Sequence, residues 1–205
     1  MPFSTIDTWV FDLDDTLYPA SSNFFPQIAE RMGLYVADRF DIPLAEAKKE
    51  QRRLFLEYGT TLSGLVAERG INVDEYAEFL MQVDYGRIPH SPALVEAVRK
   101  LPGRVLIFTN GFKEHAEACL DQLGFAHSDF EAIADIRTIA FKPKPRPIAF
   151  ETFFSEHGVD PKTSIFFEDS PKNLRTAKEL GMKTAHLVTD TARRNTGHEE
   201  GDGII

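Results

Sequence analysis

The sequence predicts an α/β fold in which a central parallel sheet lies between helical layers and a small all-helical segment is inserted. Apolar runs of strand length alternate with segments of helical spacing from residue 88 onward, which is typical of parallel βαβ units. Another apolar run lies near the N-terminus, separated from that alternation by a stretch with helical spacing only. Polar residues follow several of the apolar runs, at the strand ends where open parallel sheets bind their ligands.

The first strand is predicted at Thr8–Leu13, where apolar residues are concentrated. Between residues 23 and 85, apolar side chains recur at helical intervals, and no stretch alternates as a strand would. Short segments that contain proline or glycine divide these helices from one another near residues 42, 59 and 70. The stretch is therefore predicted to be an all-helical insertion, because it does not continue the sheet.

Helices and strands alternate again after residue 88, almost to the end of the chain. Each strand is separated from the next by a helix, so consecutive strands are expected to run parallel. The predicted elements, in chain order, are a helix at Ala93–Lys100, a strand at Val105–Thr109, a helix at Lys113–Leu123, a strand at Ala132–Ile136, a helix at Ile148–His157, a strand at Ser164–Glu168, a helix at Pro171–Leu180 and a strand at Thr184–Val188.

This order of elements predicts two domains and a tail. Residues 1–18 and 88–190 would form an α/β core domain, and residues 19–87 a helical cap domain. Residues 191–205 are polar and glycine-rich, and they are expected to fray. A chain of 205 residues is long enough for a core domain with one smaller insertion.

The composition limits the classes of function. A hydrophobic content of 42% with 17 phenylalanines provides ample core material, which argues against wholesale disorder. The formal net charge of −9 argues against a nucleic-acid polymer or a membrane surface as partner. A small phosphorylated metabolite remains possible, because an acidic protein can bind phosphate in a locally basic pocket. Composition indicates no oligomeric state.

Cysteine and histidine usage adds few candidates. The single cysteine, Cys119, falls in an apolar run of helical spacing and is expected to be buried without a disulfide. The six histidines show no spacing typical of a metal site and are expected at surface or partly buried positions. No apolar stretch approaches the ~20 residues of a membrane span. The N-terminus lacks the pattern of a signal peptide, so a cytoplasmic location is expected.

Two carboxylates, Asp12 and Asp14, stand where the first strand is predicted to end. Alternate side chains of an extended strand share a face, so one of them could attack an electrophile while the other moves a proton. Close carboxylates repel each other unless a cation or a proton intervenes. The pair therefore indicates a site that holds a metal ion or a basic partner, although acidic residues after a strand also occur in ordinary turns.

Three further polar segments lie at or just beyond apolar runs. Thr109-Asn110-Gly111 and Glu168-Asp169-Ser170 follow predicted strands, and Lys142-Pro143-Lys144-Pro145 lies between two predicted elements. Each alone also suits a turn or a helix start. Together with Asp12-x-Asp14-x-Thr16 and in this order, they resemble the four motifs of the haloacid dehalogenase (HAD) superfamily, from about Thr8 to Leu187. That resemblance implies a Rossmann-like three-layer core with a helical cap.

The resemblance also implies residue roles for a magnesium-dependent reaction. Asp12 would be the nucleophile that forms an aspartyl-phosphate, and Asp14 would be the general acid and base. The Asp12 carboxylate, the Asp14 backbone carbonyl and Asp169 would bind Mg²⁺, with Glu168 in support. Asn173 would in turn support the acidic pair.

The phosphoryl group would be held by the other two motifs. By resemblance, the Thr109 hydroxyl and the Asn110 backbone amide would donate hydrogen bonds to it, and a lysine would neutralise its charge. Lys142 and Lys144 both fit the lysine motif. Members of the superfamily commonly carry an aromatic residue six positions later, which favours Lys144 because Phe150 stands there.

The residues around the first motif and near residues 58–65 resemble the pyrimidine 5′-nucleotidase branch more loosely. The implied activity is hydrolysis of a nucleoside monophosphate, with Tyr18, Thr60 and Thr61 as candidate contacts to the base or sugar. A phosphatase of a sugar phosphate or pyridoxal phosphate is the alternative, and a phosphomutase stays possible. A haloacid dehalogenase is disfavoured because it needs no proton donor such as Asp14. An inactive interaction protein would be expected to lack a motif residue, and none is missing.

Overall fold

The computed structural model describes residues 5–188, so the predicted tail at 191–205 lies outside the described residues. Its centre is a five-stranded parallel sheet with the strand order β3-β2-β1-β4-β5. The predicted α/β fold is confirmed. The strands are β1 (Thr8–Phe11), β2 (Arg104–Phe108), β3 (Ala132–Ala134), β4 (Ser164–Glu168) and β5 (Lys183–His186).

Eight α-helices accompany the sheet within residues 5–188. Four of them lie in residues 19–87, where the helical spacing predicts helices alone, and no strand is found there. They are α1 (Phe25–Phe40), α2 (Leu44–Tyr58), α3 (Thr61–Arg69) and α4 (Val73–Leu80). The others are α5 (Pro92–Arg99), α6 (Lys113–Leu123), α7 (Pro147–His157) and α8 (Pro171–Glu179).

The two faces of the sheet bury different helices, because successive strand residues point to opposite sides. Val10 and Phe166 pack in one apolar cluster with residues of α7 and α8. Trp9 and Ile165 pack in the other, with residues of α5 and α6 that include Cys119. Cys119 is fully buried, as its spacing predicts. The result is three layers, with the sheet in the middle.

Four of the predicted strands, all except Ser164–Glu168, extend too far toward their carboxyl ends, and local hydrogen bonds explain two of these ends. The chain turns after Phe11, where the Thr16 N–H donates to the Leu13 carbonyl at 3.3 Å. β3 stops at Ala134 because the Asp135 carboxylate accepts from the N–H groups of Arg137 and Thr138, at 3.0 and 2.9 Å. The functional residues therefore lie in the loops just beyond the strands.

Helices α1 to α4 pack mainly against one another and against the site end of the sheet. Their shared core includes Tyr35, Val36, Leu54, Leu65 and Tyr76, all of them buried. None of the helices in residues 5–188 combines the length and the hydropathy needed to cross a membrane.

Candidate active site

The residues predicted to act together meet at the carboxyl end of the sheet. Asp12 follows β1, Thr109 follows β2, and Glu168 ends β4. These three strands are neighbours, with β1 in the middle, so their ends are adjacent. Lys144 reaches the same place from the loop between β3 and α7 and is almost fully buried.

Lys144 is the charged centre of the site. Its Nζ donates hydrogen bonds to Asp12 Oδ1 at 2.8 Å, to Glu168 Oε2 at 3.0 Å and to the Phe108 carbonyl at 2.7 Å. Burial favours the neutral amine, but the charges of Asp12 and Glu168 outweigh it and raise the pKa of Lys144. Lys142, the alternative lysine, is exposed on the loop. Of the two, only Lys144 contacts Asp12.

Asn110 holds the backbone of Lys144 in place. Its Oδ1 accepts from the Lys144 N–H at 2.9 Å, and its Nδ2 donates to the Lys144 carbonyl at 3.1 Å. The sequence analysis assigned a role only to the Asn110 backbone amide, so this use of the side chain was missed. Among the described residues, no partner is found for the Asn110 backbone N–H, which leaves it available to a ligand.

An acidic cluster lies beside Lys144. Carboxylate oxygens of Asp12, Glu168 and Asp169 lie within 4.8 Å of one another. Burial together with the Glu168 charge raises the pKa of Asp12 to about 8 and that of Asp169 to about 9. Asn173 donates to Glu168 Oε2 at 2.9 Å, which confirms the predicted support of the acidic pair.

The donor set fits a divalent cation. One lysine faces three carboxylates, and the raised pKa values of Asp12 and Asp169 report a local excess of negative charge. Oxygen ligands are those that hard cations such as Mg²⁺ prefer. The Asp14 carboxylate is not part of this cluster, and the sequence analysis assigned to the metal only the backbone carbonyl of Asp14.

The Asp14 carboxylate is held from one side. Its Oδ1 accepts from the Tyr18 hydroxyl at 2.5 Å and lies 2.9 Å from His115 Nε2. Burial favours the neutral acid, but the His115 charge and the hydrogen bonds from His115 and Tyr18 outweigh it and lower the pKa of Asp14. The side chain remains 21% exposed, so it still faces the site.

Two sequence predictions need correction here. Tyr18 was expected to pack against a substrate ring, but its side chain is fully buried and its hydroxyl is bonded to Asp14. His115 was expected, like the other histidines, at a surface or partly buried position, yet it is buried in the first turn of α6. A signal was available, because His115 lies four residues before Cys119 on the apolar face of that helix.

Thr109 and Gly111 shape the floor of the site. Thr109 is buried, and its Oγ1 accepts from the Gly111 N–H at 2.9 Å. A Cβ on Gly111 would lie 3.3 Å from Thr109 Oγ1, 3.4 Å from His115 Cδ2 and 3.7 Å from Asp14 Oδ2. Glycine therefore allows these three groups to approach closely.

A cavity of about 510 Å³ opens above this floor, between the sheet end and helices α1 to α4. Its wall is mostly apolar, and Asp14, Asn110 and His115 lie at its base. Thr60 and Thr61 also line it. The Thr60 hydroxyl caps α3, accepting from the Ser63 N–H at 3.0 Å, so the helix already uses it. Apolar residues of the wall include Phe25, Ile28, Met32, Leu62 and Leu80.

The chain resembles known proteins in sequence. Residues 6–181 match the family described as haloacid dehalogenase-like hydrolase. The chain is 28% identical over 197 residues to phosphate metabolism protein 8 of Saccharomyces cerevisiae, a match that covers 88% of this chain and 61% of the yeast protein. It is 24% identical over 184 residues to N-acetylmuramic acid 6-phosphate phosphatase of Pseudomonas aeruginosa, covering 86% and 79% of the two chains.

Solved structures share the fold. L-2-haloacid dehalogenase from Xanthobacter autotrophicus, with chloropropionic acid covalently bound, superimposes with a TM-score of 0.59 at 16% identity, covering 98% of this chain and 94% of that one. The UTR4 protein of Saccharomyces cerevisiae does so with a TM-score of 0.59 at 14% identity, covering 98% and 97%. At these identities the likeness concerns the fold alone.

Proposed function

The chain belongs to the haloacid dehalogenase-like hydrolases, and we propose that it is a magnesium-dependent phosphomonoesterase that acts through an aspartyl-phosphate on Asp12. One observation carries this proposal. Asp12 belongs to the acidic cluster and bonds to the Lys144 ammonium, while Asp14 lines the adjacent cavity with one carboxylate oxygen bonded to Tyr18 and facing His115. These positions suit a nucleophile, a cation, a metal site and a proton carrier.

In the first step, a carboxylate oxygen of Asp12 attacks phosphorus and the bond from phosphorus to the leaving oxygen breaks. Asp14, whose pKa the neighbouring phosphoryl anion would raise, gives its proton to that oxygen, so the product leaves as an alcohol. Lys144 offsets the negative charge of the nucleophile and the phosphoryl group. The Thr109 hydroxyl, whose proton is not used by Gly111, and the Asn110 backbone N–H would donate to phosphoryl oxygens.

In the second step, water attacks phosphorus and the bond from phosphorus to Asp12 breaks. Asp14, now ionised, takes a proton from that water, which restores both carboxyl groups and releases inorganic phosphate. Mg²⁺ held by Asp12, Asp169 and the Asp14 backbone carbonyl would offset charge on the phosphoryl oxygens. Glu168 accepts from Lys144, Asn173 and the Ser170 N–H, which fits a supporting role.

Dehalogenation is less well supported, although a haloacid dehalogenase shares the fold. Displacement of a halide needs no proton donor, whereas an alkoxide leaving group does. The bonded and partly exposed Asp14 carboxylate therefore favours phosphate ester hydrolysis. The names of both curated relatives also refer to phosphate chemistry.

For the substrate we favour a nucleoside monophosphate, with residues 19–87 acting as a cap over the site. A cavity of about 510 Å³ has the size of a small-molecule site, and its apolar wall suits a flat base better than a bare sugar. Thr61 lies in that wall and is a candidate contact. A sugar phosphate is the second candidate, because the relative from Pseudomonas aeruginosa is named for one. The cytoplasmic location stays a prediction.

The test is a phosphate-release assay on the purified chain. Its substrates are uridine monophosphate, cytidine monophosphate, N-acetylmuramic acid 6-phosphate and p-nitrophenyl phosphate. We expect turnover with Mg²⁺, no turnover in excess chelator, and no turnover for Asp12→Asn. Activity at the wild-type rate in Asp12→Asn would overturn the covalent mechanism. Equal kcat/KM on all esters would remove the nucleotide preference and leave the phosphatase.

A further inference from the structure

We propose that Tyr18 and His115 are positioning residues that hold the Asp14 carboxylate so that its proton is presented to the leaving group. The inference rests on the proposed function, in which Asp14 is the proton carrier. It concerns a buried tyrosine and a histidine at the base of the cavity, both of which meet the oxygen Oδ1 of Asp14.

Asp14 Oδ1 and Oδ2 have different surroundings. Oδ1 accepts from the Tyr18 hydroxyl at 2.5 Å and faces His115 Nε2 at 2.9 Å. A proton placed on Oδ1 would point at two donors, so the protonated acid carries its proton on Oδ2. Oδ2 lies near Gly111, 3.7 Å from where a Cβ would stand, and belongs to a carboxylate that lines the cavity in which the leaving group would sit.

A second set of contacts fixes the two donors. The Phe24 ring stacks on the His115 ring with centroids 5.9 Å apart and planes 6° apart, and meets the Tyr18 ring edge-on at 5.5 Å. The Tyr85 hydroxyl lies 3.1 Å from His115 Nδ1. His115 Nε2 can donate to Asp14 in both states of the ring: when it is charged, and when it is neutral with Tyr85 donating to Nδ1.

Burial makes this arrangement rigid. Tyr18 and Phe24 are fully buried and His115 nearly so, which leaves little freedom to change rotamer. The carboxylate they hold is partly exposed. A flexible carboxylate would spend part of its time pointing away from the leaving oxygen, and misplacement of this kind lowers the rate of proton transfer.

The test is the dependence of kcat/KM on the leaving group, because this ratio reports the step in which the leaving group departs. Phenyl phosphate needs more proton donation than p-nitrophenyl phosphate, since phenolate is the more basic anion, and the two esters are similar in shape. General acid catalysis contributes about 10²–10⁴-fold. We therefore expect Tyr18→Phe and His115→Phe to lower kcat/KM on both esters. The fold-loss on phenyl phosphate should exceed that on p-nitrophenyl phosphate by at least about tenfold.

Two further variants and two controls sharpen this result. His115→Gln keeps an N–H donor and is expected to recover most of the loss on phenyl phosphate. Tyr85→Phe acts one step further away and is expected to show a smaller loss with the same leaving-group dependence. Tyr35→Phe and His127→Asn are controls, because Tyr35 packs among the helices outside the cavity wall and His127 is exposed beyond the C-terminal end of α6, where it contacts Asp121. They should behave as wild type.

Coupling to Asp14 is measured in the Asp14→Asn background. There, Tyr18→Phe and His115→Phe should cause no further loss beyond about twofold, because residues that act as a unit are not additive. Equal losses on both esters, or full losses in the Asp14→Asn background, would overturn the proposal and leave a purely structural role. If the wild-type chain hydrolyses neither ester, the proposed function fails instead. His115→Gln and Tyr85→Phe keep the test open if His115→Phe does not fold.

Discussion

Lys144 shows how one residue connects the stability of the site with its chemistry. Its ammonium is buried against Asp12 and Glu168, which are buried as well. Removing one partner of a buried ion pair leaves the others without compensation and costs roughly 3–5 kcal/mol. The phenylalanine rings of Phe108 and Phe166, each 4.9 Å from Nζ, add favourable contacts to the cation.

We expect Lys144→Met to lower the free energy of unfolding by about 3–5 kcal/mol in metal-free buffer, because Asp12 and Glu168 then lose their counter-charge. Urea denaturation measures this, with circular dichroism as the probe. Lys142→Met is the matched control, since Lys142 is exposed on the same loop and should change stability by less than about 0.5 kcal/mol. Equal losses for the two variants would mean that the ion pairs contribute little.

At the scale of single residues, the sequence predicted some parts of the site and missed others. The preference for Lys144 over Lys142 came from a spacing, and the structure agrees that Lys144 is the one at Asp12. The Asn110 side-chain clamp was missed because it joins residues 34 positions apart through two loops, which no periodicity records. His115 was missed because only the metal-ligand spacing of the histidines was considered, and not their place on a buried helix face.

At the scale of elements, the carboxyl ends of the strands were the least accurately predicted. Apolar residues continue past Phe11 and Ala134, but the backbone leaves the sheet there. After Ala134 the Asp135 side chain accepts from backbone N–H groups, and after Phe11 the chain forms a turn with its own backbone hydrogen bonds. Propensity alone cannot register such competition. Helix boundaries were predicted more closely, since α6 begins and ends as predicted and α7 begins at the proline just before the predicted start.

Helix α3 provides a test at this scale, because Thr60 was a candidate substrate contact and is the N-cap of the helix. We expect Thr60→Ala to lower the free energy of unfolding by about 1 kcal/mol through loss of the cap, while Thr60→Ser keeps most of it. Chemical denaturation of the two variants measures the difference. If Thr60→Ala leaves stability unchanged but raises KM for a nucleotide, the cap is unimportant and substrate contact is the role.

For the whole molecule, the acidic cluster makes metal binding a determinant of stability. A ligand that binds only the folded state adds RT ln(1 + [L]/Kd), about 2.7 kcal/mol at a hundredfold excess over Kd. We expect Mg²⁺ to raise the melting temperature of the wild-type chain, because it relieves repulsion among Asp12, Glu168 and Asp169. Differential scanning fluorimetry with and without chelator measures the shift.

Asp169→Asn should change both the melting temperature without metal and the shift that Mg²⁺ causes. The metal-free variant is expected to melt higher than the metal-free wild type, because one of the mutually repelling carboxylates is gone, while the Mg²⁺-dependent shift is reduced or lost. Asp38→Asn, an exposed position on α1, is the control and should keep the full shift. A variant Asp169→Asn that melts lower without metal would show that Asp169 stabilises the fold by other means.

The aromatic group around His115 also joins parts of the chain that are far apart in sequence. Phe24 and Tyr18 lie where the chain leaves the sheet for helices α1 to α4, Tyr85 lies where it returns, and His115 belongs to the helix layer beneath. Both crossings therefore meet at the residues that hold Asp14. A hinge motion that moved these helices away from the sheet would be centred on these residues. Opening of the cavity for product release would then also loosen the contacts that hold Asp14. We expect amide hydrogen exchange in residues 18–24 and 83–88 to slow together when inorganic phosphate binds, and independent changes in the two segments would separate the hinge from the acid.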